Sequence, residues 1–363
     1  MNCKLVRNKV NKYLNKIIRY SILVMLMFSL FACNSKDPDK KIIGICAPSN
    51  EIQRWATETA QMKERLTEKG YEVIVQYANK DVSMQISQIE NMIAKGADIL
   101  IVVPIESASL GEAMDMAKEH EIPVISYDML ITNTDAVSYY TTFDNYKVGT
   151  IQGQYIIDKL DLEHSNRTYN MEISAGDPGD NNAGYFYSGA MDILKPYIDS
   201  GVINIVSGQD SFSQCATPGW STEKAQQRAE SILASYYNDK DVDIWLASAD
   251  ATALGVSNAL STFYKGSYPI ITGQDCTLII VKNILNGKQE MSIFKDPRLL
   301  IDATINMVDE IISGKTVSVN DTKTYNNGVK VVPTYLCEPT YVNKDNCIEV
   351  LTSTGFYTLD QLR

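Results

Sequence analysis

The sequence predicts an α/β protein of two lobes, each built on a doubly wound parallel sheet. Three observations carry that prediction: short apolar runs alternate with segments of helical period, several runs are apolar on consecutive residues, and glycines stand where helices should end. Consecutive apolar residues suit strands covered on both faces, as parallel strands are. Repeated strand–helix–strand order points to a doubly wound sheet, and 363 residues exceed one ordinary domain.

Residues 1–32 carry Lys4, Arg7, Lys9, Lys12, Lys16 and Arg19 and no acid, followed by an apolar run from Ile22 to Ala32. Eleven residues fall short of the ~20 that span a bilayer as a helix, so the segment reads as a secretory signal. Its end, Leu30-Phe31-Ala32-Cys33, is similar to a bacterial lipobox, in which the cysteine is acylated and becomes the first residue. Residues 33–40 form a polar tether that cannot bury a core. The expectation is an exported domain of the bacterial cell envelope, held to the membrane by lipid on Cys33.

Beyond the tether, strands are expected at Ile42–Cys46, Tyr71–Tyr77, Ile99–Val103, Val124–Tyr127 and Tyr139–Phe143. Further strands follow at Thr168–Ser174, Val202–Val206, Ile244–Ser248, Ile270–Thr272 and Met291–Phe294. Helical spacing relates Trp55, Met62 and Leu66, then Val82, Ile86, Ile89 and Ile93. It returns in Val148, Ile151 and Tyr155 and in Ile301, Ile305, Val308 and Ile312. Gly70, Gly96, Gly201 and Gly287 sit where C-cap glycines belong. The strands are too many for one comfortable sheet and divide near Asp144.

Composition excludes several chemistries. A formal charge of −11 argues against nucleic acid as a partner. The two histidines, His120 and His164, supply triads and metal sites poorly. No G-x-S-x-G elbow or G-x-G-x-x-G loop occurs, and Ser313-Gly314-Lys315-Thr316 lacks the P-loop glycine because position 309 is Asp309. No cofactor or metal is expected. Cys46, Cys215, Cys276, Cys337 and Cys347 show no C-x-x-C spacing. Cys46 and Cys276 read as small buried residues, while Cys337 and Cys347 are close enough in sequence to pair in an oxidising compartment.

Charged groups recur where such sheets hold ligands, beyond the carboxyl ends of the strands. Asp128, Asp144, Asp250, Asp275 and Lys295 each follow an expected strand, and Arg54 and Asn182 add donors. Hydroxyl-rich ligands need acceptors, donors and amides together, and charge-assisted bonds are the stronger ones. Trp55 and Trp220, each at an expected helix start, could face the apolar side of a sugar ring; packing in the core is the other reading for Trp55, and Trp245 inside a strand reads as core.

Several segments bring these residues into register with one family: Arg54-Trp55, Gln85 to Ile93, Tyr127-Asp128, Asp180-Asn181-Asn182, Thr272-Gly273-Gln274-Asp275, Phe294-Lys295-Asp296, and Asn320 to Tyr325. From about Lys41 onward the chain resembles the bacterial periplasmic aldose-binding proteins, nearest the xylose-binding and multiple-monosaccharide receptors of ABC importers. The resemblance implies a type I periplasmic binding protein fold, two lobes joined by three crossover segments and closing over one monosaccharide, without catalysis. It places lobe one at 41–143 and 297–328 and lobe two at 144–296 and 329–363. It implies Arg54, Asp128, Asp180, Asn182, Asp250, Asp275 and Lys295 as sugar ligands and Trp55 and Trp220 as stacking rings. The sequence departs from the family where an arginine is expected after Asp128 and Met129 stands instead, and at Pro218-Gly219 before Trp220. Calcium, held by some receptors of the superfamily, is not expected at Asp161–Asn166, which lacks the turn glycine and distal glutamate of such loops. The implied role is a monomeric lipoprotein that delivers an aldose such as xylose, glucose or galactose to an ABC permease. The alternative role is a sensor presenting its closed form to a chemoreceptor or histidine kinase.

Overall fold

The computed structural model describes residues 40–363. The signal segment 1–32, the lipidation site Cys33 and the tether up to Asp39 lie outside the described residues.

Six strands make the first sheet: β1 (Ile42–Ala47), β2 (Glu72–Tyr77), β3 (Ile99–Val102), β4 (Val124–Tyr127), β5 (Val137–Phe143) and β11 (Thr334–Cys337). Their order is β11-β5-β4-β3-β1-β2, and every pairing is parallel. All six residues of β1 are buried, as a central parallel strand with covered faces requires. The helices α1 (Gln53–Glu68), α2 (Val82–Ala94), α3 (Gly111–Glu119) and α10 (Pro297–Ile312) belong to this lobe. Met62 and Leu66 of α1 and Ile301, Ile305 and Val308 of α10 share one core with Ile43, Ile45, Ile99 and Ile101 on one face of the sheet. Ile89 and Met92 of α2 and Met114 of α3 cover the other face.

The second sheet runs β7-β6-β8-β9, again parallel, from β6 (Tyr169–Ser174), β7 (Ile203–Ile205), β8 (Ile244–Ala247) and β9 (Ile270–Ile271). Beside it β10 (Met291–Phe294) and β12 (Thr340–Asn343) pair antiparallel, and a bridge from Gln274 to Ile293 ties that pair to the segment after β9. Trp245 of β8 is fully buried, its indole N–H bonded to the Ser174 hydroxyl at 2.9 Å. Helices α4 (Asn145–Leu160), α5 (Asn181–Asp199), α6 (Phe212–Cys215), α7 (Thr222–Tyr236), α8 (Asp250–Phe263), α9 (Leu278–Leu285), α11 (Cys347–Ser353) and α12 (Leu359–Leu362) complete the lobe.

The chain passes between the sheets at Phe143–Asp144, after Phe294, and between Cys337 and Thr340. Thr334–Cys337 lies on the first sheet, where β11 occupies the open edge of β5. The third passage is therefore later than the expected division at 328/329. Cys337 and Cys347 stand on opposite sides of it, and each is a free, buried thiol. Cys46 and Cys276 are likewise buried and free.

Candidate functional site

In each lobe the polar residues gather beyond the carboxyl ends of the strands. Arg54 and Trp55 open α1, the helix that follows β1. The guanidinium donates from Nε to Glu58 at 2.7 Å and from both terminal nitrogens to the Asp128 carboxylate, and it lies 4.3 Å over the Trp55 ring. Asp128 follows β4 in a left-handed conformation, φ 63°. Glu58 also accepts the Tyr127 hydroxyl. Burial opposes charge on Asp128, but Arg54 and then Lys295 outweigh it and hold the carboxyl below the usual range. Burial raises Glu58 instead, because Asp128 adds to the cost of its charge.

On the facing lobe, Asp275 follows β9 with φ 97° and is anchored by its N–H to the Ile293 carbonyl at 2.9 Å. Lys295, just past β10, places Nζ 3.2 Å from the Asp275 carboxylate and 5.7 Å over the Phe186 ring. The two pairs act on each other across the cleft: Asp275 favours the Arg54 charge, and Lys295 favours that of Asp128. Phe186 also meets Trp220, ring centres 6.3 Å apart. Trp220 ends a short turn at φ 52° and lies so close over Gly176 that a Cβ there would fall 2.0 Å from its ring.

The remaining expected residues have more structural duties. Asp180 caps α5, accepting the Asn182 N–H at 2.9 Å, and burial lifts its carboxyl to about 7. Asp250 opens α8 with its carboxylate bonded to Ser292, to the Thr277 hydroxyl and to the Thr277 N–H; burial, then the neighbouring Asp275, raises it to about 8. The Asn182 amide is engaged with Asp128, Tyr140 and Asn145. Trp55 packs into the first-lobe core and carries Arg54 on its ring. Met129 is half-buried, its carbonyl bonded by the Ser126 hydroxyl. Asp144, placed among the strand-end charges by its position, caps α4 through the Lys147 N–H.

Glu58, Phe186 and Gly176 escape the sequence reading. Glu58 lies four residues after Arg54 and Phe186 four after Asn182, a spacing that puts them on the same helix face. Gly176 has no such signal.

The lobes touch along the cleft rim, where Ser107 N–H donates to the Gly179 carbonyl and Asn181 N–H to the Ser107 hydroxyl, both at 3.2 Å. Among the described residues no group of three His, Cys, Asp or Glu side chains is placed to hold a metal ion, and both histidines are exposed. Opposed charged pairs with aromatic rings beside them can grip a neutral, hydroxyl-rich molecule through many hydrogen bonds.

Comparison with known proteins agrees with this architecture. Residues 43–316 match the model of the periplasmic binding protein domain. The multiple sugar-binding periplasmic receptor ChvE of Rhizobium radiobacter is 40% identical, over 96% of this chain and all of that protein. The D-xylose-binding periplasmic protein of Escherichia coli is 34% identical over 94% of this chain and 99% of its own length. The crystal structure of an ABC transporter solute-binding protein from Clostridium phytofermentans, with β-D-glucose bound, superposes with a TM-score of 0.86 at 53% identity, covering 89% of this chain and all of that one. A parallel two-sheet fold crossed three times, a cleft between its strand ends and relatives matched along nearly their whole length place this chain in the periplasmic binding protein family.

Proposed function

We propose that the protein is an extracytoplasmic receptor that closes its lobes on one aldose and delivers it to an ABC permease, anchored to the membrane by acylation of Cys33. The observation that carries this reading is the opposition of Arg54–Asp128 on one lobe to Asp275–Lys295 on the other. Each pair offers an acceptor and a charged donor to ring hydroxyls, so one sugar would satisfy both walls and hold them together. Trp220, seated on Gly176, supplies the apolar face that C–H groups of the ring require. The relatives support the same ligand class, since one is a multiple-sugar receptor, another a D-xylose receptor and a third carries β-D-glucose. Hydrogen bonding accounts for the arrangement without any turnover of the sugar.

A thermal-shift screen of the purified protein against D-glucose, D-xylose, D-galactose and L-fucose tests the reading. A ligand at 100 times its Kd stabilises a protein by ~2.7 kcal/mol, so at least one sugar should raise the melting temperature by several degrees. No shift with any pentose or hexose would remove the receptor assignment. For the anchor, Cys33→Ser should abolish incorporation of labelled palmitate and leave the protein unprocessed or released from membranes. Equal labelling of wild type and variant would count against the lipobox.

A further inference from the structure

Between β7 and α7 the chain runs without regular structure except for the single turn of α6 and a short turn at Pro218–Trp220. It ends on Trp220 in a left-handed conformation, φ 52°, which a bulky side chain keeps only where its surroundings over-determine it. Backbone bonds lay the second half of this segment on the chain that leaves β6. Ala175 N–H donates to the Cys215 carbonyl at 2.9 Å, and Thr217 N–H to the Gly176 carbonyl at 3.0 Å. Trp220 N–H closes the turn on the Thr217 carbonyl at 3.0 Å, and the ring lands over Gly176. Side chains hold the first half.

Arg228, half-buried on α7, is the centre of that hold. Its Nη1 donates to the Ile173 carbonyl on β6 at 2.5 Å, while Nε and Nη2 converge on the Gln209 amide oxygen at 3.2 and 2.8 Å. One planar fork thus joins the end of β6, the β7–α7 segment and the helix that follows Trp220. Gln209 carries the hold onward, its carbonyl accepting the Cys215 thiol at 3.0 Å. At the start of the segment, Glu172 of β6 is 0% exposed. It accepts the Ser207 N–H at 3.0 Å, the Ser207 hydroxyl at 2.6 Å and the Tyr237 hydroxyl at 2.8 Å. Such donors are what a buried carboxylate needs.

We propose that Arg228 is a positioning residue for the cleft: it clamps the segment to β6 through Gln209 and so holds the Trp220 ring against Gly176, where a sugar would meet it. The proposal rests on the receptor reading above, in which Trp220 supplies the apolar wall, and adds a residue behind that wall on which the ring's stance depends. The left-handed φ of Trp220 gives the reason. A ring placed by local backbone preference would not need the clamp, whereas one held against that preference relaxes when the clamp is cut. A sugar must then order the segment as it binds, and affinity falls.

Two readouts on the purified protein test the clamp. Of the three tryptophans, Trp245 is 0% and Trp55 8% exposed, while Trp220 is half-buried, so acrylamide quenching of fluorescence reports chiefly on the Trp220 ring. In the sugar-free protein Arg228→Ala should raise the quenching constant about twofold or more, and Arg228→Lys, which keeps the charge but not the fork, by less. Calorimetry with D-glucose and D-xylose should show affinity about tenfold weaker in Arg228→Ala, and little further loss when that change is added to Trp220→Ala. Gln209→Ala cuts the same bonds from the segment's side and should move both readouts in the same direction. It carries the test if circular-dichroism melting shows that Arg228→Ala does not fold. Unchanged quenching or unchanged affinity in the folded variant would overturn the clamp. A loss of equal size with and without Trp220 would overturn it too, making Arg228 a support of the whole lobe. Failure of wild type to bind any sugar would instead remove the receptor reading, and quenching would still show whether Arg228 holds the ring.

Discussion

Asp180 and Asp250 keep protons in the folded chain over a pH range where an unfolded chain has lost them. Burial raises them to about 7 and about 8, against an ordinary aspartate value of ~3.9. The folded state therefore binds more protons between these limits. The stability this contributes is complete below about pH 4 and is lost as pH rises through about 7 for Asp180 and about 8 for Asp250. The melting temperature of the sugar-free protein should fall between pH 5 and pH 8.5, and Asp250→Asn, which stays neutral throughout, should flatten the upper part of that fall. An identical profile in the variant would contradict the assignment. Met129 gives a second expectation at this scale. A thioether stands where relatives place a planar fork of donors; the expectation is a preference for a pentose or 6-deoxy sugar over one with a full set of hydroxyls, the alternative being that Lys295 or Arg54 supplies the missing donor and specificity is unchanged. Met129→Arg should shift relative affinity from xylose and fucose toward glucose, measured by calorimetry, and an untouched rank order would dismiss Met129 as a determinant. Of the residues themselves, Asp128 and Asp275 stand as the strand-end pattern expects, just past parallel strands, whereas Lys295 follows the antiparallel β10 and Arg54 opens α1, so their pairing with those carboxylates comes from the fold. The bonding of Asn182 and Asp250 to their neighbours was not legible in the sequence, since partners such as Tyr140 and Ser292 lie far away in it.

At the scale of elements, the crossing of α4 and α5 rests on two glycines. A Cβ on Gly149 would lie 2.0 Å from the Phe186 carbonyl oxygen, and one on Gly189 would lie 2.0 Å from that of Tyr146. The helices approach backbone to backbone, and this approach seats the first residues of both beside the cleft. Gly149→Ala must push them apart and should cost about 1–3 kcal/mol, the range typical of overpacking. Gly184→Ala, in α5 with open space around it, should cost nothing or stabilise slightly, because alanine loses less entropy in a helix. Chemical denaturation compares the two, and equal stabilities would refute the close crossing. The parallel strands were readable from runs of consecutive apolar residues. Strands β11 and β12 were not: each is four residues long, mixes polar with apolar side chains, and is preceded by Pro333 or Pro339. What makes them strands is the unfilled edge of β5 and the antiparallel partner β10.

Across the whole molecule, the two-sheet division followed from the excess of strands near Asp144, while the place of the third crossing depended on an edge pairing that no local pattern announces. The consequence for function is that each wall of the cleft belongs to a different sheet, with its own charged pair. If one sugar bridges them, damage to either wall should be felt by the same ligand. Removing Asp275 leaves Lys295, its side chain only 7% exposed, without its carboxylate. Truncating one partner of a hydrogen-bonded charge pair at a binding site costs about 2–5 kcal/mol of binding, and the part-exposed Asp275 places the loss near the lower end, roughly a hundredfold in affinity. Titration calorimetry of wild type, Arg54→Ala and Asp275→Ala with the sugar that gives the largest thermal shift tests this most directly. The expected result is one sugar per chain for wild type and a loss of roughly a hundredfold or more for each variant, one from each lobe. Wild-type affinity in either variant would contradict a ligand held between the two walls.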